Sequence, residues 1–572
     1  MKSGYGVRLK NCINIILEHE PENEPTGLLA LAHYYLGNPD MKERAEQVLL
    51  RTAKWFEACP YIENGKQRPV RGECDFAAAR LARALVMGTD DMKCETKEAI
   101  KSFFTKNDFE SMYKSENHML IFHCARYTAA LTYGACLFES YGKTGCELQK
   151  EDEKFLSDYI LYRAKNGWGE FDSVGYMCED LLALFLLYDA SSGKLKNLAK
   201  MAADQLLLDM ISDEFDGFYS GAHGRIYFDQ ALDNMCCAMT YVYNLYFGGI
   251  YLESAYKTGI IEKNFEEYAD FAEFAMTGYF PSDCVFYAAA EKLAVYENFE
   301  AKNLHSITCQ TPHKKLPDEK GHISKYTYIT GEYAMGSVCF EDGYENPDAA
   351  WYAHHQQHEW ELTLKGSPQA KIFTHHPGKC GTEGHEHGYW SGDLMCCCGE
   401  FFTHKNITLA IYDIGGEEEK EINANVLFSL YSTVTDGNYI FLKLNNAYAS
   451  LYFSEGYYRK TDGKYPEREL RSKGAKHAVV CVAGSKNEDG SFEDFMNKVK
   501  SKPVIFDKDE MTLEYDGIYL DKKTRKINGE AVSFPYPLFS NPFLSSELYS
   551  GIIDVYTTLG KTTYDFTKAQ II

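Results

Sequence analysis

The sequence has 572 residues and a formal net charge of -24, with 45% hydrophobic and 14% aromatic residues. A chain of this length exceeds one ordinary hydrophobic core, so two large domains are expected. The acidic balance argues against nucleic acid or an anionic membrane as a partner, because both reward clustered Lys and Arg, but a local group of Arg and His still permits an acidic small substrate.

The N-terminus shows no pattern typical of a targeting segment. Residues 1–5 contain no apolar run or cleavage site, and no stretch of the sequence is apolar enough to span a bilayer. We therefore expect a cytoplasmic protein, or a secreted or periplasmic one if a signal has been trimmed. Cys236 and Cys237 are adjacent, which favours reduced thiols over a disulfide scaffold. The oligomeric state is left open, with a homodimer as one alternative.

Residues 1–290 are predicted to form a helical domain. Apolar residues recur at helical spacing, short polar segments separate the runs, and no strand-like alternation interrupts them. The predicted helices span residues 25–35, 41–56, 76–87, 117–140, 151–164, 176–190, 194–211, 230–246 and 264–276. Connections of this length are typical of antiparallel helix hairpins.

Residues 321–572 are predicted to form a second domain of antiparallel β-structure, with residues 291–320 as the linker. Alternating apolar residues are separated by Gly, Asn and Asp turns. The predicted strands span residues 326–330, 359–364, 370–375, 407–412, 424–431, 439–444, 447–453 and 477–482. The fold class is therefore an α+β multidomain protein, helical first and β-rich second.

The loop of residues 167–176 lies directly before a long apolar helix and is rich in Gly, aromatic and acidic residues. Its glycines allow a tight fold and a close approach of the backbone to a ligand. Asp172 or Ser173 is a natural N-cap for the helix that follows. Tyr176 is therefore expected near a helix N-terminus, on the rim of the domain.

Two further junctions, residues 115–118 and 221–227, are also polar and precede helices. Neighbouring junctions are separated by about two helices and two loops. Because one full hairpin returns the chain to the same edge, all three junctions should lie on one rim and surround one pocket.

The residue types at these junctions predict proton transfer next to a carboxylate. With Ser115 as N-cap, Asn117 and His118 fall in the first helical turn, where free N–H groups and the helix dipole favour an anion. Tyr176 is the candidate proton-transfer group, and it needs a nearby cation such as Arg225 or protonated His223 to act as a base.

This combination of an Asn-His helix start, a tyrosine one hairpin later, a Gly-Arg-x-Tyr segment and a β-rich C-terminal half resembles the heparinase II/III-like and alginate-lyase-like polysaccharide lyases. The resemblance implies an incomplete α/α toroid followed by an antiparallel β-sandwich, and β-elimination on uronic-acid glycans. It also implies that Asn117 and His118 neutralise the C5 carboxylate, that Tyr176 is the general acid with the role of base also open to it, and that His223 and Arg225 support it.

Further residues are expected to contact the sugar. In the helical domain they flank the three junctions, and in the β-domain the resemblance implies a second His or Tyr that the sequence does not single out. Trp168 and Trp390 are candidates for stacking on sugar rings. The full set is Glu116, Trp168, Glu170, Tyr227, His354, His355, His358, Tyr389 and Trp390.

No cofactor is predicted for the reaction. A structural divalent metal such as zinc in the β-domain is a weaker alternative, because the His and Cys spacings match no recognised zinc pattern. Its candidate ligands are His354, His355, His358, His375, His376, His385, His387 and Cys396–Cys398.

Two other functions remain open at this point. One is a glycoside hydrolase that uses Glu170 and Asp172, or Glu116 with either of them, as acid and base. The other is a carbohydrate-binding protein without catalysis. Structural roles are also open: Asn117 and His118 can simply cap a helix, and Arg225 can pair with Asp213, Glu214 or Asp216.

Overall fold

The computed structural model describes residues 2–23, 26–58, 60–63, 66–69, 74–110, 115–252, 269–303, 322–340, 358–376, 399–415 and 420–572. The statements below concern these residues. No helix among them is both long and apolar enough to cross a membrane.

The N-terminal half is helical and the C-terminal half is built from antiparallel sheets, which confirms the predicted fold class. The α-helices are α1 (Lys2–Ile16), α2 (Leu28–Leu36), α3 (Pro39–Ala58), α4 (Cys74–Met87), α5 (Cys94–Lys106), α6 (Glu116–Thr132), α7 (Gly145–Asn166), α8 (Tyr176–Ala190), α9 (Gly193–Asp213), α10 (Phe228–Leu232), α11 (Ala238–Phe247), α12 (Phe271–Met276), α13 (Asp283–Glu291), α14 (Lys486–Asp489) and α15 (Phe492–Lys500).

The helices pack pairwise in chain order and then return to the beginning. α6 contacts α4, α7 and α8, and α8 contacts α9. The first helix packs against α11 and α12, and Arg8 donates from Nε to the carbonyl oxygen of Leu245 at 2.7 Å and from Nη2 to that of Tyr246 at 2.8 Å. This return of the chain to its start is what a toroid of helix hairpins requires.

Three predicted helices are wrong in extent. The helix predicted for residues 151–164 begins six residues earlier and ends two residues later, as α7 (Gly145–Asn166). The helix predicted for residues 117–140 ends at Thr132, because a small hairpin follows it. The helix predicted for residues 230–246 is divided into α10, a 3-10 turn at Asn234–Cys236 and α11. Helices α1, α5 and α13 were not among those predicted.

The strands are β1 (Pro60–Glu63), β2 (Lys66–Pro69), β3 (Leu137–Phe138), β4 (Lys143–Thr144), β5 (Glu214–Phe215), β6 (Phe218–Tyr219), β7 (Tyr296–Asn303), β8 (His322–Ile329), β9 (Tyr333–Phe340), β10 (Trp360–Leu364), β11 (Lys371–His375), β12 (Gly399–His404), β13 (Ile407–Asp413), β14 (Glu421–Asn425), β15 (Ser432–Asp436), β16 (Tyr439–Leu444), β17 (Ala447–Phe453), β18 (Tyr458–Arg459), β19 (Glu469–Lys473), β20 (Lys476–Ser485), β21 (Val504–Asp507), β22 (Thr512–Tyr515), β23 (Ile518–Leu520), β24 (Arg525–Ile527), β25 (Glu530–Ala531), β26 (Phe539–Ser540), β27 (Leu544–Ser546), β28 (Ile552–Thr557), β29 (Gly560–Asp565) and β30 (Gln570–Ile571).

Three sheets build the C-terminal half. The largest has the order β18-β19-β14-β11-β10-β9-β8-β7-β26-β27-β28-β29-β30, the second has β12-β13-β20-β17-β16-β15, and the third has β21 to β25 in sequence. The second sheet packs its β12 and β13 against β8 and β9 of the first, which forms the predicted sandwich. Its other face packs on the third sheet and α15 around a separate apolar core.

Two features depart from the predicted organisation. The short pairs β1–β2, β3–β4 and β5–β6 interrupt the helical half, where no strands were expected. The stretch predicted as a linker contains β7, which pairs with β8 and β26 inside the largest sheet. Alternate residues of β7, Asn298, Glu300 and Lys302, are polar and fully buried, so this face of the sheet meets another part of the protein.

Candidate active site

Tyr176 is the first residue of α8, and its hydroxyl lies among polar groups. The backbone N–H of Tyr176 donates to Ser173 Oγ at 3.2 Å, which caps the start of the helix. The phenol hydroxyl shares a short hydrogen bond with the hydroxyl of Tyr227 and accepts one from Arg225 Nη2 at 3.3 Å. The side chains of Tyr176 and Tyr227 are half-buried, so the pair lies on an accessible rim.

Arg225 covers the tyrosine pair with its guanidinium group. Its Cζ lies 5.0 Å from the centroid of the Tyr176 ring, and its Nη1 lies 3.5 Å from Glu170 Oε1. The backbone of Arg225 is left-handed with φ of 62°, a conformation that costs energy for a residue with a side chain. The surrounding contacts therefore hold this arginine where the chain alone would not put it.

Burial raises the pKa of Tyr176, and the positive charge of Arg225 opposes this rise. Tyr227 and Glu170 push the pKa of Tyr176 further up. The group is therefore a phenol at neutral pH, ready to donate a proton. As a phenolate it has one direct source of stabilisation in this site, the guanidinium of Arg225.

Asn117 and His118 lie in the first turn of α6, as the N-cap rule predicts from Ser115. Asn117 Oδ1 accepts from Ser115 Oγ and, at 2.5 Å, from the backbone N–H of His118. Its amide Nδ2 is buried and donates to no described residue. His118 donates from Nδ1 to Asp75 Oδ2 at 2.7 Å, so the ring is fixed with its other nitrogen facing away from that carboxylate.

Glu170 lies between the junction that carries Arg225 and the junction that carries His118. Its side chain is 2% exposed, and neither carboxyl oxygen accepts a hydrogen bond from a described residue. Burial raises the pKa of Glu170 to about 7, and the charges of Arg225 and His118 act on this group from the two other junctions. All three junctions therefore approach one carboxyl group.

Glu116 and Trp168 occupy the interior and not the surface, which corrects their predicted contact with the sugar. Glu116 accepts from the backbone N–H groups of Gly169 at 3.0 Å and Glu170 at 2.6 Å, and it pairs with Arg163 Nε at 2.7 Å. Trp168 is 1% exposed, and its ring lies 5.8 Å from the guanidinium of Arg163. Both residues hold the loop that precedes Tyr176.

His223 does not supply the positive charge predicted for it. It is fully buried, which lowers its pKa to about 3, and its Nδ1 donates to the carbonyl oxygen of Asp172 at 2.8 Å. Its backbone forms an isolated antiparallel bridge with His358 of the β-domain, with N–H···O distances of 2.9 and 2.8 Å. His358 is buried as well and pairs with Glu361 at 2.9 Å, so it connects the two halves and does not reach a sugar.

The other predicted contacts of the β-domain, His354, His355, Tyr389 and Trp390, lie outside the described residues, as do His385, His387 and Cys396–Cys398 of the zinc alternative. Among the described residues, Asp172, Asp209 and Glu300 are close enough to share a metal ion. The ammonium of Lys302 lies in this group, in contact with Asp209 and 3.6 Å from Asp172. The carboxylates therefore already have a positive partner.

Asp75 is a site residue that the sequence did not single out. It opens α4, directly before the helix predicted from Phe76, and its carboxylate orients His118. A polar residue at the start of another helix was the only signal in the sequence. The pairing itself depends on the packing of α4 against α6, which local patterns do not reveal.

Comparison with known proteins finds solved structures that are similar to this chain. One similar structure is a Streptomyces coelicolor A3 chondroitin AC lyase in complex with chondroitin sulphate. The match covers 98% of this chain and 88% of the lyase chain, with 10% identity and a TM-score of 0.49. The chain is similar to polysaccharide lyases. A Paenibacillus xanthan lyase matches over 96% of this chain and 66% of its own, with 10% identity and a TM-score of 0.41.

A further similar structure is the heparan sulfate lyase HepC from Pedobacter heparinus. It matches over 93% of this chain and 95% of its own, with 9% identity and a TM-score of 0.22. The sequence matches no family model and no curated protein.

Proposed function

We propose that this protein is a lyase that cleaves uronate-containing oligosaccharides or polysaccharides by β-elimination. The observation that supports this most is the phenol of Tyr176, held between the hydroxyl of Tyr227 and the guanidinium of Arg225. Asn117 lies on the neighbouring junction with an amide donor that no described residue uses. A proton-transfer group next to an anion-binding helix start fits chemistry at a carbon adjacent to a carboxylate.

Substrate binding at the start of α6 would activate the sugar. The Asn117 amide would donate to the uronate carboxylate. The His118 ring would do so in its imidazolium form, because its Nδ1 proton is already donated to Asp75, which keeps the ring in place. This interaction spreads the charge that develops on the carboxylate when the neighbouring carbon loses its proton. It therefore lowers the barrier to proton removal.

Tyr176 would carry the proton. Elimination breaks the C5–H bond and the C4–O bond and forms a C4=C5 double bond, while the leaving oxygen takes up a proton. If Tyr176 acts as the base in its phenolate form, stabilised by Arg225, the proton it removes can pass to the leaving oxygen. The enzyme then returns to its starting state without another proton donor.

Tyr227 has a place in this scheme as the second member of the hydroxyl pair. Its hydrogen bond to Tyr176 would hold the phenol hydroxyl in place, and its half-buried side chain lies on the same rim. Because its side chain lies on this rim, Tyr227 would also contact the substrate.

The two alternative functions are less well supported. In a glycoside hydrolase, Glu170 and Asp172 would both face the sugar, but the Asp172 carboxylate is buried in contact with Lys325. Glu116 is taken up by Arg163 and two backbone N–H groups. A binding protein without catalysis would not need a guanidinium hydrogen-bonded to the phenol, and the assay below separates it from a lyase.

The proposal is tested with purified protein and fragments of hyaluronan, chondroitin, heparan, alginate and glucuronan. A lyase produces an unsaturated uronate that absorbs in the ultraviolet. Release of reducing ends without this absorbance would indicate a hydrolase, and the absence of both products with retained binding would indicate a binding protein.

Tyr176→Phe tests the mechanism on the substrate that gives the strongest signal. It removes one hydroxyl and keeps the ring, so we expect kcat to fall by at least about a hundredfold with little change in the unfolding midpoint. Tyr188→Phe is the matched control, because Tyr188 lies in the same helix away from the pocket. Full turnover by Tyr176→Phe would remove this residue from the mechanism.

A further inference from the structure

The positions of Tyr176 and Arg225 depend on two chain segments that are joined by hydrogen bonds. The backbone N–H of Gly224 donates to the carbonyl oxygen of Phe171 at 2.6 Å. His223 Nδ1 donates to the carbonyl oxygen of Asp172 at 2.8 Å, and Ser173 Oγ donates to that of Arg225, also at 2.8 Å. Residues 170–173 and 223–225 are therefore joined by three hydrogen bonds.

Both segments contain a residue with strained backbone geometry. Asp172 has φ of 51° and Arg225 has φ of 62°, in the left-handed region. Such conformations persist where surrounding contacts impose them. The space between the segments is also tight, because a Cβ on Gly224 would meet the Phe171 ring at 2.7 Å.

The ammonium group of Lys325, in strand β8, contacts the first segment and the end of α9, from which the chain runs on to the second segment. Its Nζ pairs with the carboxylate of Asp172 in the first segment and with that of Asp213. Asp213 ends α9, and the β5–β6 hairpin that follows leads directly into residues 220–227. The Tyr219 ring of that hairpin lies 5.5 Å below the same ammonium.

A second lysine of the sheet, Lys302 of β7, lies in the same buried cluster but has different partners. It contacts Asp209 closely, lies 3.4 Å from Glu300 and is 3.6 Å from Asp172. Burial alone would raise the pKa of Asp172, but Lys325 and Lys302 hold it below its ordinary value, so Asp172 is ionised. Burial raises the pKa of Asp209 to about 7.

We propose that Lys325 is a positioning residue for the lyase reaction, because its single ammonium joins the segment that leads into Tyr176 to Asp213, from which the β5–β6 hairpin leads to Arg225. This inference rests on the proposed function. It assigns the β-domain a part in catalysis that does not require any of its residues to contact the sugar. Loss of the ammonium would release Asp172 and let the guanidinium of Arg225 drift from the phenol.

Lys325→Met is the first test. We expect kcat to fall by about a hundredfold, since a displacement of about 1 Å between reacting groups has an effect of this size. KM should change less than threefold, because Asn117 and His118 lie on α6 and do not depend on this contact. The alkaline limb of the pH–kcat profile should move to higher pH, because Arg225 would stabilise the phenolate less.

Lys302→Met is the matched control. It removes the same type of side chain from the adjacent strand and the same buried cluster, so its effect on folding should be similar, but it leaves the Lys325 contacts in place. We expect kcat of this variant to stay within about threefold of the parent. An equal loss of kcat in both variants would overturn the proposal, as would full kcat in Lys325→Met.

Two further variants cover the case in which Lys325→Met does not fold. Lys325→Arg keeps the charge and should retain KM and part of kcat. The double variant Lys325→Met with Asp213→Asn removes one charge of each sign and should fold while keeping the loss of kcat; full kcat in this variant would overturn the proposal. If the parent itself forms no unsaturated product from any glycan, the proposed function fails first, and the two failures are thus distinguishable.

Discussion

Glu170 is a buried carboxyl group whose protonation state the site controls. Burial raises its pKa from 4.5 to about 7. Between these two values the unfolded chain releases a proton that the folded protein keeps, so rising pH favours the unfolded state. The contribution of Glu170 to stability is therefore fully present below pH 4.5 and is lost as the pH rises toward 7.

Glu170→Gln should remove this dependence. Relative to the parent, its free energy of unfolding should rise by about 3 kcal/mol as the pH increases through that window and then stay level. Denaturant titrations at several pH values measure this difference. Glu361→Gln is the contrasting control: Lys371 and His358 overcome burial and lower the pKa of Glu361 to about 2, so its difference from the parent should develop below pH 4.5. If the free energies of unfolding of Glu170→Gln and the parent changed in parallel with pH, this would contradict the raised pKa of Glu170.

For single residues, the sequence predicts which residue types occupy the helix starts, since N-cap and first-turn preferences are local. It does not predict their partners. Asp75 for His118 and Lys325 for Asp172 come from elements far away in the chain. His223 shows the consequence, because its sequence context suggests a cation, whereas complete burial lowers its pKa to about 3 and makes it neutral.

A carboxylate at the start of α6 holds the first part of the loop that precedes α8. Glu116 accepts from two backbone N–H groups of the loop and pairs with Arg163 of α7, whose side chain is 1% exposed. One group thus joins two helices and the loop that positions Tyr176. Removing its charge would leave the Arg163 guanidinium buried without its main partner.

Glu116→Gln should therefore lower the free energy of unfolding by about 3 kcal/mol, measured by denaturant unfolding with circular dichroism. The control is Glu151→Gln, the same substitution in a surface pair with Lys143 whose side chains are 47% and 43% exposed. That change should cost no more than about 0.5 kcal/mol. Equal effects of the two substitutions would show that the buried pair has no special role.

Elements with a strong apolar period were the predictable ones. α8 and α9 were predicted within a few residues, because their apolar runs are long and flanked by polar turns. α5 was missed although its buried Ile100, Phe103 and Phe104 stand at helical spacing, because its first turns are polar and the apolar run is short. β7 was mistaken for a linker because its buried face is polar, which reverses the usual alternation pattern.

The contact between the two halves was beyond local patterns. It consists of the lysines of β7 and β8 inserted among carboxylates of the helical half, and of the backbone bridge between His223 and His358. These residues are separated by more than ninety positions in the chain, so nothing in their neighbourhood indicates the pairing. Helical periodicity and β-alternation establish the two halves, and only the folded molecule reveals how one supports the other.

The charge of the whole molecule makes a separate prediction about substrate capture. The chain carries a formal net charge of -24, and the proposed substrate is a polyanion, so the two repel at distances where solvent does not screen them. The screening length shortens from about 30 Å at 0.01 M salt to about 10 Å at 0.1 M. Contacts with Asn117, His118 and Arg225 act within a few ångströms and are screened much less.

We therefore expect kcat/KM for a long uronate glycan to rise by a few-fold as salt increases over this range, with kcat unchanged. A short fragment of the same glycan carries fewer carboxylates and should show a smaller rise, which makes it the internal control. A steep fall of kcat/KM with salt would mean that a basic surface steers the substrate despite the net charge. In that case capture would depend on clustered Lys and Arg outside the three junctions, and the acidic balance of the chain would have no part in it.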